Sequence, residues 1–256
     1  MTIQYASDLH LEFRDNELFI IANPIVPKAD ILILAGDITF LDDRWLKKEF
    51  FLKLSKDFER VYMVPGNHEF YHASYPIRKV VPSFEYEVVP NIRYLNNRVV
   101  YLGDVRLVFT TLWTRIFRSE YIQKRISDFH GCIFDERDWI RYKAIHHNQC
   151  HKASRSFLNE VLWKPHAGPT VVVSHYVPFE ASYCDYDFES ELQEFFHVDL
   201  SDALKNWHVD HWIYGHNHHN QKSFQIGKTR FHTNQLGYVE QRELIDSFSV
   251  AETIEI

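Results

Sequence analysis

Cysteine is scarce in this chain: Cys132, Cys150 and Cys184 are its three cysteines, widely spaced and without a CxxC pair. That argues against a disulfide framework and points to a reducing compartment. Long apolar runs are missing too, since none approaches the roughly 20 residues that a membrane-crossing helix needs. The start, Met1-Thr2-Ile3-Gln4-Tyr5, has no charged leader ahead of an apolar core, so no signal peptide is expected. Positive charge is in deficit, with 28 Lys and Arg against 35 Asp and Glu for a formal net charge of -7. This deficit, with no long basic stripe, counts against a general nucleic-acid binder, although a local basic groove stays possible. Repeats, low-complexity tracts and flexible linkers are absent as well. The expectation is one soluble domain spanning 1–256, cytoplasmic and without a membrane partner, its oligomeric state open.

What the chain does have is ordinary bulk composition, 45% hydrophobic and 25% charged, with many rings: 20 Phe, 14 Tyr and 6 Trp. The core and any pocket should therefore be aromatic. Five apolar runs stand out, each stopping in polar residues. Residues 3–6 end in Ser7-Asp8-Leu9-His10. Residues 29–35 show no alternation after Asp30, as expected of a strand covered on both faces, and end in Gly36-Asp37-Ile38. Gly36 permits a sharp turn that leaves Asp37 exposed at the strand's carboxyl end. Residues 60–64 are stopped by Pro65-Gly66, which puts Asn67, His68 and Glu69 in a loop. Residues 169–174 lead into His175-Tyr176. Residues 211–214 close in Gly215-His216-Asn217-His218, whose two imidazoles lie two apart and so point the same way on an extended segment.

The connections vary. Pro24 and Pro27 mark a link rather than a long helix. In 43–58, Trp45, Leu46, Phe50, Phe51, Leu54 and Phe58 recur at helical spacing, with lysines on the other faces. Residues 91–101 and 106–112 read as two strands joined at Gly103-Asp104. The segment 113–134 loses periodicity and carries Arg115, Arg118, Lys124 and Arg125; it is either a cap that brings cations to an anionic substrate or a solvated excursion. Residues 135–162 form the longest helical pattern, through Trp139, Ile140, Ile145, Ala153, Phe157, Leu158, Val161 and Leu162. His147 and His151 have a metal-binding i,i+4 spacing there, but without a neighbouring Glu they are read as facing solvent. Residues 177–188 look like a loop and 189–207 partly helical. A hairpin is expected over 223–233, turning at Gly227-Lys228, and a last strand over 248–256.

Strands separated by long connections, several of them helical, predict an α/β architecture with sheets largely parallel inside. Ligand sites in such folds lie beyond the carboxyl ends of the strands. Taken singly, Asp8 could be a turn former or helix cap and His10 a surface histidine. Taken together, Asp8, His10, Asp37, Asn67, His68, His175, His216 and His218 all follow apolar runs rather than interrupt them. Besides His68 they offer two carboxylates, one amide oxygen and four imidazoles, a set suited to Mn, Fe, Zn, Co or Ni and too rich in nitrogen for a dedicated Mg or Ca site. Seven ligands exceed the usual complement of one ion. Two ions sharing a bridging Asp, about 3.5 to 4 Å apart, is the economical arrangement. Such a centre is positively charged, so an anionic phosphate is the natural substrate.

The motifs Asp8-x-His10, Gly36-Asp37, Gly66-Asn67-His68-Glu69, His175 and Gly215-His216-x-His218 resemble, in order, the motif set of the calcineurin-like metallophosphoesterases. That resemblance implies a two-sheet β-sandwich flanked by helices in four layers, with a dinuclear metal site. It also implies that Asp8, His10 and His218 hold one metal, that Asn67, His175 and His216 hold the other, and that Asp37 bridges them. His68 corresponds to the histidine that assists the leaving group; Glu69 is assigned no direct catalytic role.

The expected activity is hydrolysis of a small phosphate mono- or diester through metal-activated water. Two other readings remain: a non-catalytic interaction module, against which stands the complete motif set, and a metal-dependent nuclease using the basic residues 115–125. A lipid-linked substrate would need an apolar lid that is not evident. Tyr71, His72, Trp113, Arg115, Tyr176 and His219 are candidate pocket residues, with His72, Arg115, Tyr176 and His219 the candidate substrate contacts.

Overall fold

The computed structural model describes residues 1–184 and 191–256. The first sheet takes β1 (Thr2–Ala6), β2 (Ile31–Leu34), β3 (Arg60–Met63), β4 (Phe84–Val89) and β5 (Ile92–Asn96). The second sheet begins with β6 (Arg98–Leu102) and β7 (Val105–Thr110). After a short ribbon of β8 (Ile133–Asp135) and β9 (Ile140–Arg141), it is completed by β10 (Thr170–Ser174), β11 (His211–Ile213), β12 (Phe224–Ile226) and β13 (Thr229–His232). Finally β14 (Thr253–Glu255) returns to pair antiparallel with β1. The spatial orders are β14-β1-β2-β3-β5-β4 and β12-β13-β11-β10-β7-β6. Each sheet has four parallel strands inside and one antiparallel strand at either edge.

The unbroken apolar runs follow from this layering. In β2, Ile31 and Ile33 enter the core between the sheets, while Leu32 and Leu34 face the helical layer outside. In β10, Val171 and Val173 point inward and Val172 outward. The outer layer on the first sheet comes from α1 (Arg14–Ala22), α2 (Asp43–Leu46) and α3 (Glu49–Asp57), through Ile20, Leu46, Phe51 and Leu54. Two short helices, α4 (Ser119–Arg125) and α5 (Asp128–Gly131), add Ile122 and Phe129 to the same cluster. On the second sheet α6 (Ala144–Leu162) packs Leu158 and Leu162 against Val172 and Trp212. The four layers are helix, sheet, sheet, helix.

Several local expectations are corrected. The link that Pro24 and Pro27 mark holds no long helix, but it is preceded by the unread nine-residue α1, which ends at Ala22. Residues 43–58 form two helices; Asp42 caps the first by accepting from the Arg44 and Trp45 amides, and Lys48 is extended between them. The run 91–101 is broken at Asn97, left-handed at φ 52°, where the chain leaves β5 and enters β6 in the other sheet. Side chains secure that crossing: Thr110 Oγ1 donates to Asn97 Oδ1 at 2.8 Å, and Asn96 Nδ2 donates to the Val80 carbonyl at 2.8 Å. Within 135–162 the helix starts only at Ala144, and Trp139 and Ile145 are exposed. Its inner face is Ala144, His147, Cys150, Ser154, Leu158 and Leu162. His147 is thus fully buried, hydrogen-bonded to Thr114 Oγ1 at 3.0 Å and Tyr142 OH at 2.9 Å, and does not face solvent. His151 Nδ1 donates to the Trp113 carbonyl.

The loop expected over 177–188 carries a short turn of 3₁₀ helix at Ala181–Tyr183. Its part from 185 on, like the first two residues of 189–207, lies outside the described residues, and Gln193–Phe196 and Ser201–Leu204 supply the helical turns. Cys132 and Cys150 are buried free thiols. Among the described residues no helix is long and apolar enough to cross a membrane.

Candidate metal centre

Because β1, β2 and β3 are parallel neighbours, as are β10 and β11, their carboxyl ends deliver side chains to one edge of the sandwich. The backbone there is strained. Asp8, His10, Asp37, His216 and His218 all have positive φ, between 46° and 77°, at a cost on the order of 1 kcal/mol or more each for residues with a Cβ. Strain concentrated on five of seven candidate ligands is a price taken for aim rather than stability. Asp37 itself is buried rather than exposed. Close approach explains Gly36 and Gly66: a Cβ on Gly36 would collide with the His175 ring, and one on Gly66 with Asp37. Glu69, also buried, ties these turns together by accepting from the amides of Asp37 (3.0 Å), Ile38 (2.9 Å) and Gly66 (2.8 Å). Burial and the nearby Asp37 charge push its carboxyl pKa up to about 8.

Two donor groups meet at Asp37, and outside these two a third, His10 with Glu12 and His68, adjoins the first through His10. Ligand atoms of Asp8, His10 and His218 lie within 4.8 Å of one another, and so do those of Asp37, His175 and His216. Asp37 Oδ2 stands between the groups, 3.8 Å from His10 Nε2 and 3.4 Å from His175 Nε2. Asn67 Oδ1 joins the second group, 3.0 Å from His175 Nε2.

The outer atoms of these residues decide what the inner ones are. His10 Nδ1 meets Glu12 Oε1 at 3.0 Å, His218 Nδ1 meets Glu243 Oε2 at 2.6 Å, and His175 Nδ1 meets the Ala35 carbonyl at 3.0 Å. An oxygen acceptor requires N–H there, so each Nε2 turns a lone pair inward. Asn67 Nδ2 donates to Asp128 Oδ1, which turns its Oδ1 inward as well. Yet His10 Nε2 and His218 Nε2 are 3.0 Å apart, and His175 Nε2 lies 3.1 Å from His216 Nδ1. The first pair sets acceptor against acceptor beside Asp8 and Asp37 and needs positive charge between them, a proton or a cation; in the second, His216, whose Nε2 has no partner among the described residues, can carry its proton on Nδ1 and donate to His175. The donor set therefore fits divalent cations, with outer carboxylates and carbonyls of the kind that orient metal ligands.

The electrostatics agree. Burial opposes protonation of His175, but Asp37 beside it, with Asp8 and Glu69, lifts its pKa to about 9. Burial opposes it at His218 too, and Asp8 and Glu243 lift that pKa to about 10. Burial works against the Asp37 carboxylate, yet His175 and His68 hold its pKa well below the usual range. A cation binding here would have to displace protons.

His68 stands apart. Its amide donates to Asp37 Oδ1 at 2.8 Å, its ring stacks on Tyr71 at 4.2 Å, its Nδ1 meets Glu12 Oε1 at 2.8 Å, and its Nε2 lies 3.2 Å from Tyr238 OH.

Comparisons with known proteins identify the family. Residues 1–220 match the family model described as calcineurin-like phosphoesterase. The chain belongs to that family. A viral relative, uncharacterized protein L509 of Acanthamoeba polyphaga mimivirus, is 30% identical over 276 aligned positions, covering 96% of this chain and 95% of the other. The crystal structure of phosphopantetheinyl hydrolase from Mycobacterium tuberculosis shares the fold at a TM-score of 0.66, with 19% identity over 99% of this chain and 95% of that one.

In this calcineurin-like chain the further candidates scatter. Tyr176 is fully buried, its ring 4.1 Å from that of His216, so it backs a candidate ligand. Trp113 is buried in the core beside Phe70. His72 is exposed against Phe40, and Arg115 lies over Phe117. His219 is half-buried, its carbonyl taken by Gln235 Nε2. The segment 113–134 sends an acid toward the centre rather than a cation: Asp128 receives both Asn67 Nδ2 and Tyr71 OH. Arg118 and Arg125 instead engage Glu194 and Tyr121. Sequence reasoning missed Glu12, Asp128, Tyr238 and Glu243. Only Glu12 carried a signal, since it follows His10 by two, the spacing that singled out His216 and His218.

Proposed function

We propose that this chain hydrolyses a small phosphate mono- or diester at a dinuclear metal centre. The observation that carries the reading is the set of inward-facing acceptors grouped about two points with Asp37 Oδ2 between them. Asp8, His10 and His218 would hold one ion, Asn67, His175 and His216 the other, and Asp37 would touch both. Two divalent ions would supply Lewis acidity toward the phosphoryl oxygens and a nucleophile of lowered pKa. The remaining work belongs to the chain. His68, outside both donor groups, donates a proton from Nε2 to the departing oxygen. Tyr71, stacked on its ring, limits how that imidazole can tilt. Asp128 keeps the Asn67 amide from flipping, so its oxygen stays inward.

A nuclease reading is disfavoured by the engagement of Arg118 and Arg125 with protein partners. A purely structural module is disfavoured by the retained backbone strain at the candidate ligands. The test is a screen of purified protein with Mn, Fe, Zn, Co and Ni against an aryl monoester, an aryl diester, cyclic nucleotides and nucleic acid. Turnover of a small ester with at least one metal is expected. No turnover with any metal, in protein that binds two equivalents, would overturn the proposal.

A further inference from the structure

We infer that Glu12 is the positioning residue of this centre, one carboxylate oxygen holding both the leaving-group histidine and a metal-ligand histidine in register. The inference rests on the phosphoesterase reading above. Glu12 lies in the turn after β1, its side chain 1% exposed. Its Oε1 is 3.0 Å from His10 Nδ1 and 2.8 Å from His68 Nδ1, and the two rings meet edge to face at 4.4 Å. Its Oε2 is buried with no hydrogen-bond partner among the described residues.

Such an arrangement is a poor way to stabilise a fold. A buried carboxylate with an unused oxygen bears a desolvation cost that an apolar side chain of the same size would not. It is a good way to orient two imidazoles. With Nδ1–H of each ring directed at one oxygen, neither ring can flip, and both Nε2 atoms point away from Glu12. For His10 that direction is the donor group it shares with Asp8 and His218. For His68 it is the side where Tyr238 OH sits, 3.2 Å from Nε2. During hydrolysis the bond from phosphorus to the leaving oxygen breaks, its electron pair stays on that oxygen, and the Nε2 proton of His68 transfers there. The Nδ1 proton remains with His68 on Glu12 throughout, so Glu12 exchanges nothing and acts only through the ring it aims.

The first test needs no substitution. In protein with ¹⁵N-labelled histidine, long-range proton–nitrogen spectra, assigned with His10→Gln and His68→Gln, should show Nδ1 protonated in both rings; an unprotonated Nδ1 on His68 overturns the inference. The second compares Glu12→Leu, which deletes the acceptor at similar volume, with Glu12→Gln, which keeps one. Calorimetric affinity for Mn²⁺ should fall roughly 10- to 100-fold in Glu12→Leu and be partly restored in Glu12→Gln. Hydrolysis of an alkyl phosphate, whose leaving oxygen needs a proton, should fall about 100-fold, and that of an activated aryl phosphate about tenfold or less. In a His68→Ala background Glu12→Leu should add nothing to the alkyl-specific loss, whereas fully additive losses overturn the coupling. Spectra and Mn²⁺ affinity are read without turnover. An enzyme inactive on every ester therefore defeats the phosphoesterase reading, while an altered tautomer defeats the role of Glu12.

Discussion

The two sheets have the same plan, four parallel strands between antiparallel edges, yet they equip the centre differently. The first brings Asp8, Asp37, Asn67, His10 and His68, which include both candidate carboxylate ligands and the proposed leaving-group acid. The second brings His175, His216 and His218, imidazoles alone. Anionic donors fix charge and can bridge, whereas neutral imidazoles add affinity and selectivity. The first sheet should therefore carry the charge logic of the site and the second its tuning.

The sharpest way to break this contrast is to remove one residue from each side. Asp37→Ala should abolish binding of both ions and lower turnover at least a thousand-fold, about 4 kcal/mol of transition-state stabilisation. His216→Ala should spare the Asp8, His10 and His218 group, leave about one equivalent of metal and cost less activity. Metal stoichiometry by mass spectrometry beside turnover checks both, and equal losses would erase the distinction. Next in size is His68→Ala, which should cost roughly 10²- to 10³-fold on esters with poor leaving groups while retaining both metals.

Chelation tests how far the ions join the sheets. A cation at 100 times its Kd contributes about 2.7 kcal/mol of stability, which for a chain this size is on the order of 5 to 10 °C in Tm. Scanning calorimetry with and without chelator should show that fall. Hydrogen exchange should accelerate first at 215–218 and 8–10, where strained turns from opposite sheets face one another, and last in β2 and β10. Uniform acceleration would mean that the ions do not act as a staple.

These contrasts show why some features were legible in the sequence and others were not. The strand exits were legible because the runs 31–35, 61–64 and 171–173 carry no charged or amide side chain, so a polar group just past their end is conspicuous. The crossing at Asn97 was hidden because only that one residue separates β5 from β6, and a single left-handed residue moves the chain between sheets. The edge strand β4 did carry its alternation, Phe84-Glu85-Tyr86-Glu87, and went unread. Asp128 and Glu243 were hidden for a deeper reason: each meets its partner only through the tertiary fold, from a segment with no regular period. His147 was misread because its helix turns small and polar residues inward and leaves Ile145 outside.

That residue supplies the smallest expected effect and sharpens the comparison. His147 and His175 are both completely buried, but no carboxylate offsets the burial of His147, and its pKa is pushed down to about 3, with His151 adding a minor push. The unfolded chain binds a proton near pH 6.5 and the folded chain does not until near 3, so stability is intact above 6.5 and declines as pH falls through that window. The loss approaches about 1.4 kcal/mol per pH unit below 6. His147→Gln, which offers Thr114 and Tyr142 hydrogen-bonding groups but cannot titrate, should be less stable than the parent at pH 8 and lose less on acidification. Urea denaturation of the chelated forms between pH 8 and 4.5 should show the two stability curves converging by about 2.7 kcal/mol. Parallel curves would mean that His147 takes up its proton in the folded state at an ordinary pH, and that burial alone does not separate it from the histidines beside Asp37.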